Sequence, residues 1–98
     1  MTTRFLIEVP HEDATVACAR TVEVFLTTGS HFLSHADWGC KDGVHKAWMV
    51  VEVDSRDEAR NIVPPAFRAQ TKVVQLNKFT MDEIDEILRD HGHPPRHG

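Results

Sequence analysis

The dipeptide Asp42-Gly43 constrains this chain most, because Asp-Gly between two strand-like runs is a strong hairpin signal. It predicts a β-hairpin over Ser30 to Asp54, with strands at 31–38 and 44–54. A two-residue loop pairs residues whose numbers sum to 85, so His35 falls opposite Val50, Leu33 opposite Glu52 and Asp37 opposite Trp48. On the second strand Ala47, Met49, Val51 and Val53 are wholly apolar and must face a core. Lys46, Trp48, Val50, Glu52 and Asp54 then take the other face. On the first strand Phe32, Ala36 and Trp38 make the better core set. That sends His31, Leu33, His35 and Asp37 to the open face.

The remaining elements follow from periodicity and caps. Arg4 to Val9 alternates as a strand, with Phe5, Ile7 and Val9 on one face and Arg4, Leu6 and Glu8 on the other. Pro10 ends it, and His11-Glu12-Asp13 opens a helix with Asp13 as its N-cap. Val16, Ala19, Val22, Phe25 and Leu26 predict an amphipathic helix over 14–28 with Gly29 at its C-terminal end. Within it Cys18 reads as a small buried hydrophobe. Ser55 with Glu58 is a capping box for a second helix, which Pro64-Pro65 interrupts. A turn of helix over 66–70 leads into a last strand over 72–79. There Val74 and Leu76 share one face, and Val73, Gln75 and Asn77 the other. Thr80 with Glu83 caps a final helix striped by Met81, Ile84, Ile87 and Leu88. One domain over 1–90 is expected, and the Gly/Pro/His-rich tail 91–98 is expected to be disordered, with loose metal chelation by its three histidines as the disfavoured alternative.

Composition narrows the function classes. Fifteen acidic against eleven basic residues give a net charge of −4, with no basic stripe, which argues against nucleic-acid binding. The apolar run Phe5-Leu6-Ile7 is too short for a leader or a membrane span. Cys18 and Cys40 make no disulfide framework, so a cytoplasmic protein with reduced thiols is expected.

The order strand-helix-strand-strand-helix-strand is that of a ferredoxin-like α+β fold with an extra C-terminal helix, its helices covering one face of a four-stranded antiparallel sheet. The open face, with Leu6, Glu8, His31, Leu33, His35, Asp37, Trp48, Val50, Glu52, Val73, Gln75 and Asn77, is too apolar for water and too polar for a dry core. A homodimer packing two such faces around a partly polar cavity resolves this. The element order, the length and the C-terminal helix resemble the dimeric α+β barrel superfamily of small ferredoxin-like proteins. Residues His31-Phe32 with Ala36, Asp37 and Gly43 are similar to its small nickel-binding group. The resemblance spans residues 4 to about 79 and implies cofactor-free enzymes, haem-degrading proteins or metal binders as functional neighbours.

Three functions remain open. The first is a small ligand or a metal ion in the inter-sheet cavity. As strand residues His31 and His35 stand roughly 13 Å apart at about 3.3 Å per residue, so they cannot share one ion within a protomer. Either one would bind with Asp37, Glu8, Glu52 or a residue of the second copy, suiting nickel, zinc or iron. Cys40 and His45 flank the turn and read as solvated residues, with a thiolate–imidazole site as the alternative. The second is acid–base catalysis on a small aromatic or carbonyl compound. His35 would be the base, Glu52 and Glu8 the carboxyls, and Trp48 a stacking surface, with Asp37, Gln75 and Asn77 as further ligand contacts. The competing reading is that Glu8 and Glu52 pair with Arg4, Lys46 or His31 across the interface. The third is an interaction module without chemistry.

Overall fold

Residues 1–28 and 30–93 are described by a computed structural model. Alternation builds the central strands as expected. β1 (Thr3–Pro10) buries Phe5, Ile7 and Val9, and β3 (Lys46–Val53) buries Ala47, Met49 and Val51. These two strands are antiparallel and pair along their full length, from Thr3 opposite Val53 to Pro10 opposite Lys46. β2 (Asp37–Trp38) adds to the outer edge of β3, and β4 (Lys72–Gln75) to the outer edge of β1. The result is an α+β protein whose four-stranded antiparallel sheet has the order β2-β3-β1-β4. Its core lies between one face of this sheet and Phe25, Leu33, Ala59 and Val63.

The first arm of the expected hairpin is corrected. Residues 31–34 are not strand but a short helix, α2 (His31–Ser34), and only Asp37 and Trp38 pair with β3. The stretch from Ser30 to Trp38 has no β-branched residue, whereas Phe32, Leu33 and Ala36 fall on one side of a helical turn. That side packs inward: Leu33 is 1% exposed, with Phe32 and Ala36 partly buried against the core. Leu33 is therefore a core residue and not an open-face one, and neither it nor His35 has a cross-strand partner. Asp37 does face Trp48 as the sum rule requires. The connection is longer than two residues, running through a 3-10 turn over Cys40–Asp42 to Gly43, whose φ of +79° is a left-handed conformation suited to glycine.

The helices keep their places but not all their faces. α1 (Thr15–Thr27) buries Thr21 and Phe25, whereas Val16 and Leu26 are exposed. Its inward side runs Cys18, Thr21, Val22, Phe25, offset from the most apolar stripe. Ala14, not Asp13, occupies the N-cap position, and no side chain caps there. α3 (Arg56–Ile62) starts at the expected Ser55 cap, whose hydroxyl accepts from the Glu58 N–H, and α4 (Pro65–Arg68) follows. In β4 the faces are exchanged relative to expectation: Val73 is buried opposite Ile7, and Val74 is exposed opposite Leu6. Gln75 pairs with Phe5 and lies exposed at the sheet edge, and Asn77 lies beyond the strand. α5 (Met81–Asp90) has the full Thr80–Glu83 capping box and no buried residue. Gly29, the expected C-terminal residue of α1, and positions 94–98 of the tail fall outside the described residues.

Candidate metal centre

Four residues far apart in the chain meet at one end of the sheet. The β1–β3 pairing ends with Pro10 opposite Lys46, and one step further the same register brings His11 beside His45. The His11 N–H donates to the His45 carbonyl at 3.1 Å, which fixes this last rung. Cys18 comes from the inward side of α1, one turn before Thr21. Cys40 opens the 3-10 turn and is held by a tight loop. Gly39 permits that loop, because a Cβ there would stand 2.7 Å from the Val44 carbonyl oxygen and 2.8 Å from the Trp48 ring.

His11, Cys18, Cys40 and His45 each offer one donor atom, and these atoms all lie within 4.8 Å of one another. The edges of a tetrahedral S2N2 zinc site follow from Zn–S of about 2.3 Å and Zn–N of about 2.0–2.1 Å, and are about 3.4–3.8 Å. The cluster is thus within a small contraction of that geometry, and the set can hold a metal ion such as zinc. His11 Nε2 already lies 3.1 Å from Cys40 Sγ. All four residues are half-buried. Trp38 walls the cluster from the core, packing edge-on against both His11 and Phe25.

Burial disfavours charge on the side chains of the cluster. Burial pushes the Cys40 thiol up to about 11, and contact with the Cys18 thiol adds to this. Burial also lowers the His11 pKa, with the neighbouring His45 imidazole contributing. A divalent ion bound here would take the place of the thiol protons, and the two thiolates would cancel its charge.

His45 gives the most specific sign. Its Nε2 donates to Asp13 Oδ1 at 2.7 Å, which sets the tautomer and leaves Nδ1 with a lone pair. That Nδ1 is buried and has no hydrogen-bond partner. A carboxylate on one ring nitrogen with the other nitrogen bare is the arrangement that orients histidine ligands on metals. Asp13, expected as a helix cap, serves this ring instead.

The residues predicted from sequence are placed elsewhere. His31 and His35 lie exposed on α2 and at its end, with His35 Nδ1 donating to the His31 carbonyl at 2.6 Å and the His31 ring on Phe32. Among the described residues they join no group of three or more potential ligands. Both line an open groove of about 540 Å³ with Arg4, Phe32 and Glu52. Glu52 pairs with Arg4 at 3.9 Å. Glu8 pairs with Lys46 at 3.6 Å and accepts from Trp48 Nε1–H at 3.2 Å. Asp37 is exposed, as are Gln75 and Asn77. Of the ligand cluster, Cys40 and His45 were foreseen only as an alternative to solvated turn residues, and His11 and Cys18 were missed. Their spacings, six residues between His11 and Cys18 and four between Cys40 and His45, match no short zinc signature. The usable signal was the β1–β3 register, which places His11 against His45.

No protein-family model, curated protein or solved structure matches the chain. Among the described residues no helix is long and apolar enough to cross a membrane.

Proposed function

We propose that this is a small metal-binding protein whose centre is a zinc ion held by His11, Cys18, Cys40 and His45. The observation that carries this reading is the convergence of two imidazoles and two thiols, one imidazole already oriented by Asp13. A tetrahedral S2N2 set suits zinc better than nickel, which favours square-planar or tetragonal nitrogen and oxygen ligands, or non-haem iron, which favours histidine and carboxylate. Four protein donors complete the shell, so the ion's first role is to tie β1, α1 and the turn before β3 together. Thiolate ligands require reduced cysteines, in keeping with a cytoplasmic location.

The β2-β3-β1-β4 order supports a ferredoxin-like βαββαβ arrangement with α5 appended. On that reading a second copy covers the open sheet face, where Val50 is 62% and Val74 40% exposed, giving a homodimeric α+β barrel. Light scattering with Val50→Lys as the control tests this: a dimer that becomes a monomer supports it, and a monomeric parent contradicts it.

Acid–base catalysis on a small aromatic or carbonyl ligand is favoured by one observation, that His35 and Glu52 line the same groove. His35→Ala separates the two readings, since it would abolish turnover in that groove and leave zinc binding untouched.

The metal reading is tested by zinc content after reconstitution of the full chain, with His91, His93 and His97 changed to alanine to remove chelation by the tail. One zinc per chain is expected. Loss of all binding with the tail histidines would refute it.

A further inference from the structure

The sulfur half of the ligand cluster is reached from outside. Cys18 and Cys40 line two surface clefts. One, of about 440 Å³, runs between them and Val22, Ala36 and Trp38; the other, of about 320 Å³, is bounded by Thr15, Ala19 and His45. Lys41 lies at the wall of both. A small polar oxidant therefore reaches sulfur without opening the core, and each thiol is already the other's neighbour.

We propose that the centre is oxidant-labile: peroxide converts Cys18 and Cys40 to a disulfide and expels the zinc. This rests on the zinc reading above. One cysteine sulfur attacks a peroxide oxygen, the O–O bond breaks, and a sulfenic acid and hydroxide form. The second sulfur displaces the sulfenic hydroxyl, forming the S–S bond. Each hydroxide takes a proton from solvent to leave as water. Sulfur gives up two electrons and hydrogen peroxide accepts them, while zinc leaves as the divalent ion. Two imidazoles alone do not complete a tetrahedral shell, so loss of the sulfur pair empties the site. The new bond joins α1 to the turn that opens at Cys40, and reduction by a dithiol reverses it.

The experiment is a titration of the zinc-loaded full chain with hydrogen peroxide. It follows released zinc with a chromophoric chelator, free thiols with a thiol reagent and intact mass by mass spectrometry. The expected result is loss of both thiols and of all bound zinc in step, a product lighter than the reduced metal-free chain by two hydrogens, and a Cys18–Cys40 peptide in the digest. Dithiothreitol with added zinc should restore the starting protein. Zinc that stays bound at stoichiometric peroxide, sulfinic acid as the main product, or a disulfide between two chains would overturn the oxidation step while leaving the zinc reading intact. Protein that binds no zinc before peroxide is added overturns the zinc reading, and this proposal with it.

Discussion

Two pairs of histidines sit in this molecule, and they teach opposite lessons about proximity. His31 and His35 are close in sequence and border the same groove, yet among the described residues they join no ligand cluster. His11 follows β1 and His45 precedes β3, and the register of those strands makes them neighbours, with two cysteines alongside. The first pair belongs to a helical turn whose task is to drive Leu33 into the core. The second belongs to a centre assembled by tertiary structure. Donor density along the chain is a poor guide to a site, and strand register is a better one.

The comparison is broken or sharpened first by the ligands themselves. Cys40→Ser should weaken zinc binding by more than about 100-fold, beyond the loss typical of removing a group that only orients a ligand. The double variant His31→Ala/His35→Ala should leave affinity unchanged. Competition with a chelator of known affinity reads both, and equal losses would erase the distinction between the two regions.

The structural role of the α2 segment is checked by Leu33→Ala. At 1% exposure this truncation should cost about 2–5 kcal/mol in denaturant unfolding. A Leu33 on an open sheet face would lose far less, within about 0.5 kcal/mol.

Asp13→Asn probes the support of His45. Losing the carboxylate that holds Nε2–H should reduce zinc affinity about 10–100-fold without changing stoichiometry. An unchanged affinity would make the Asp13–His45 contact a surface ion pair of little consequence.

The smallest effect is in the metal-free protein. His11 has its pKa lowered from 6.5 by burial, so the folded state binds fewer protons there than the unfolded chain. Stability from this group is complete above pH 6.5 and is lost as pH falls from there through the lowered folded-state value. Thermal unfolding of the metal-free chain should therefore weaken slightly on acidification from pH 7, and His11→Gln should flatten that part of the profile.

Much of the fold was legible in the sequence because its signals are local. The alternation in Phe5-Ile7-Val9 and Ala47-Met49-Val51 identified β1 and β3 and their buried faces. The Ser55 and Thr80 caps marked the starts of α3 and α5. Errors arose where two periods compete over a few residues. Phe32, Leu33 and Ala36 satisfy a helical turn, while Phe32, Ala36 and Trp38 satisfy a strand, and the turn won because it buries Leu33. In β4, Val73 and Val74 are adjacent and equally apolar, so only pairing with Ile7 decides which one is inside. In α1 the exposed Val16 and Leu26 drew the predicted stripe away from the side that carries Cys18. The metal cluster needed all of these tertiary facts together, the β1–β3 register, the true face of α1 and the Gly39 loop, and no short motif encodes them.

X-ray absorption at the zinc edge, on the reconstituted chain with the three tail histidines replaced, tests the central claim most directly. The account predicts two sulfur scatterers at about 2.3 Å and two nitrogen scatterers at about 2.0–2.1 Å. A shell of nitrogen and oxygen alone, or one unchanged by Cys40→Ser, would contradict it.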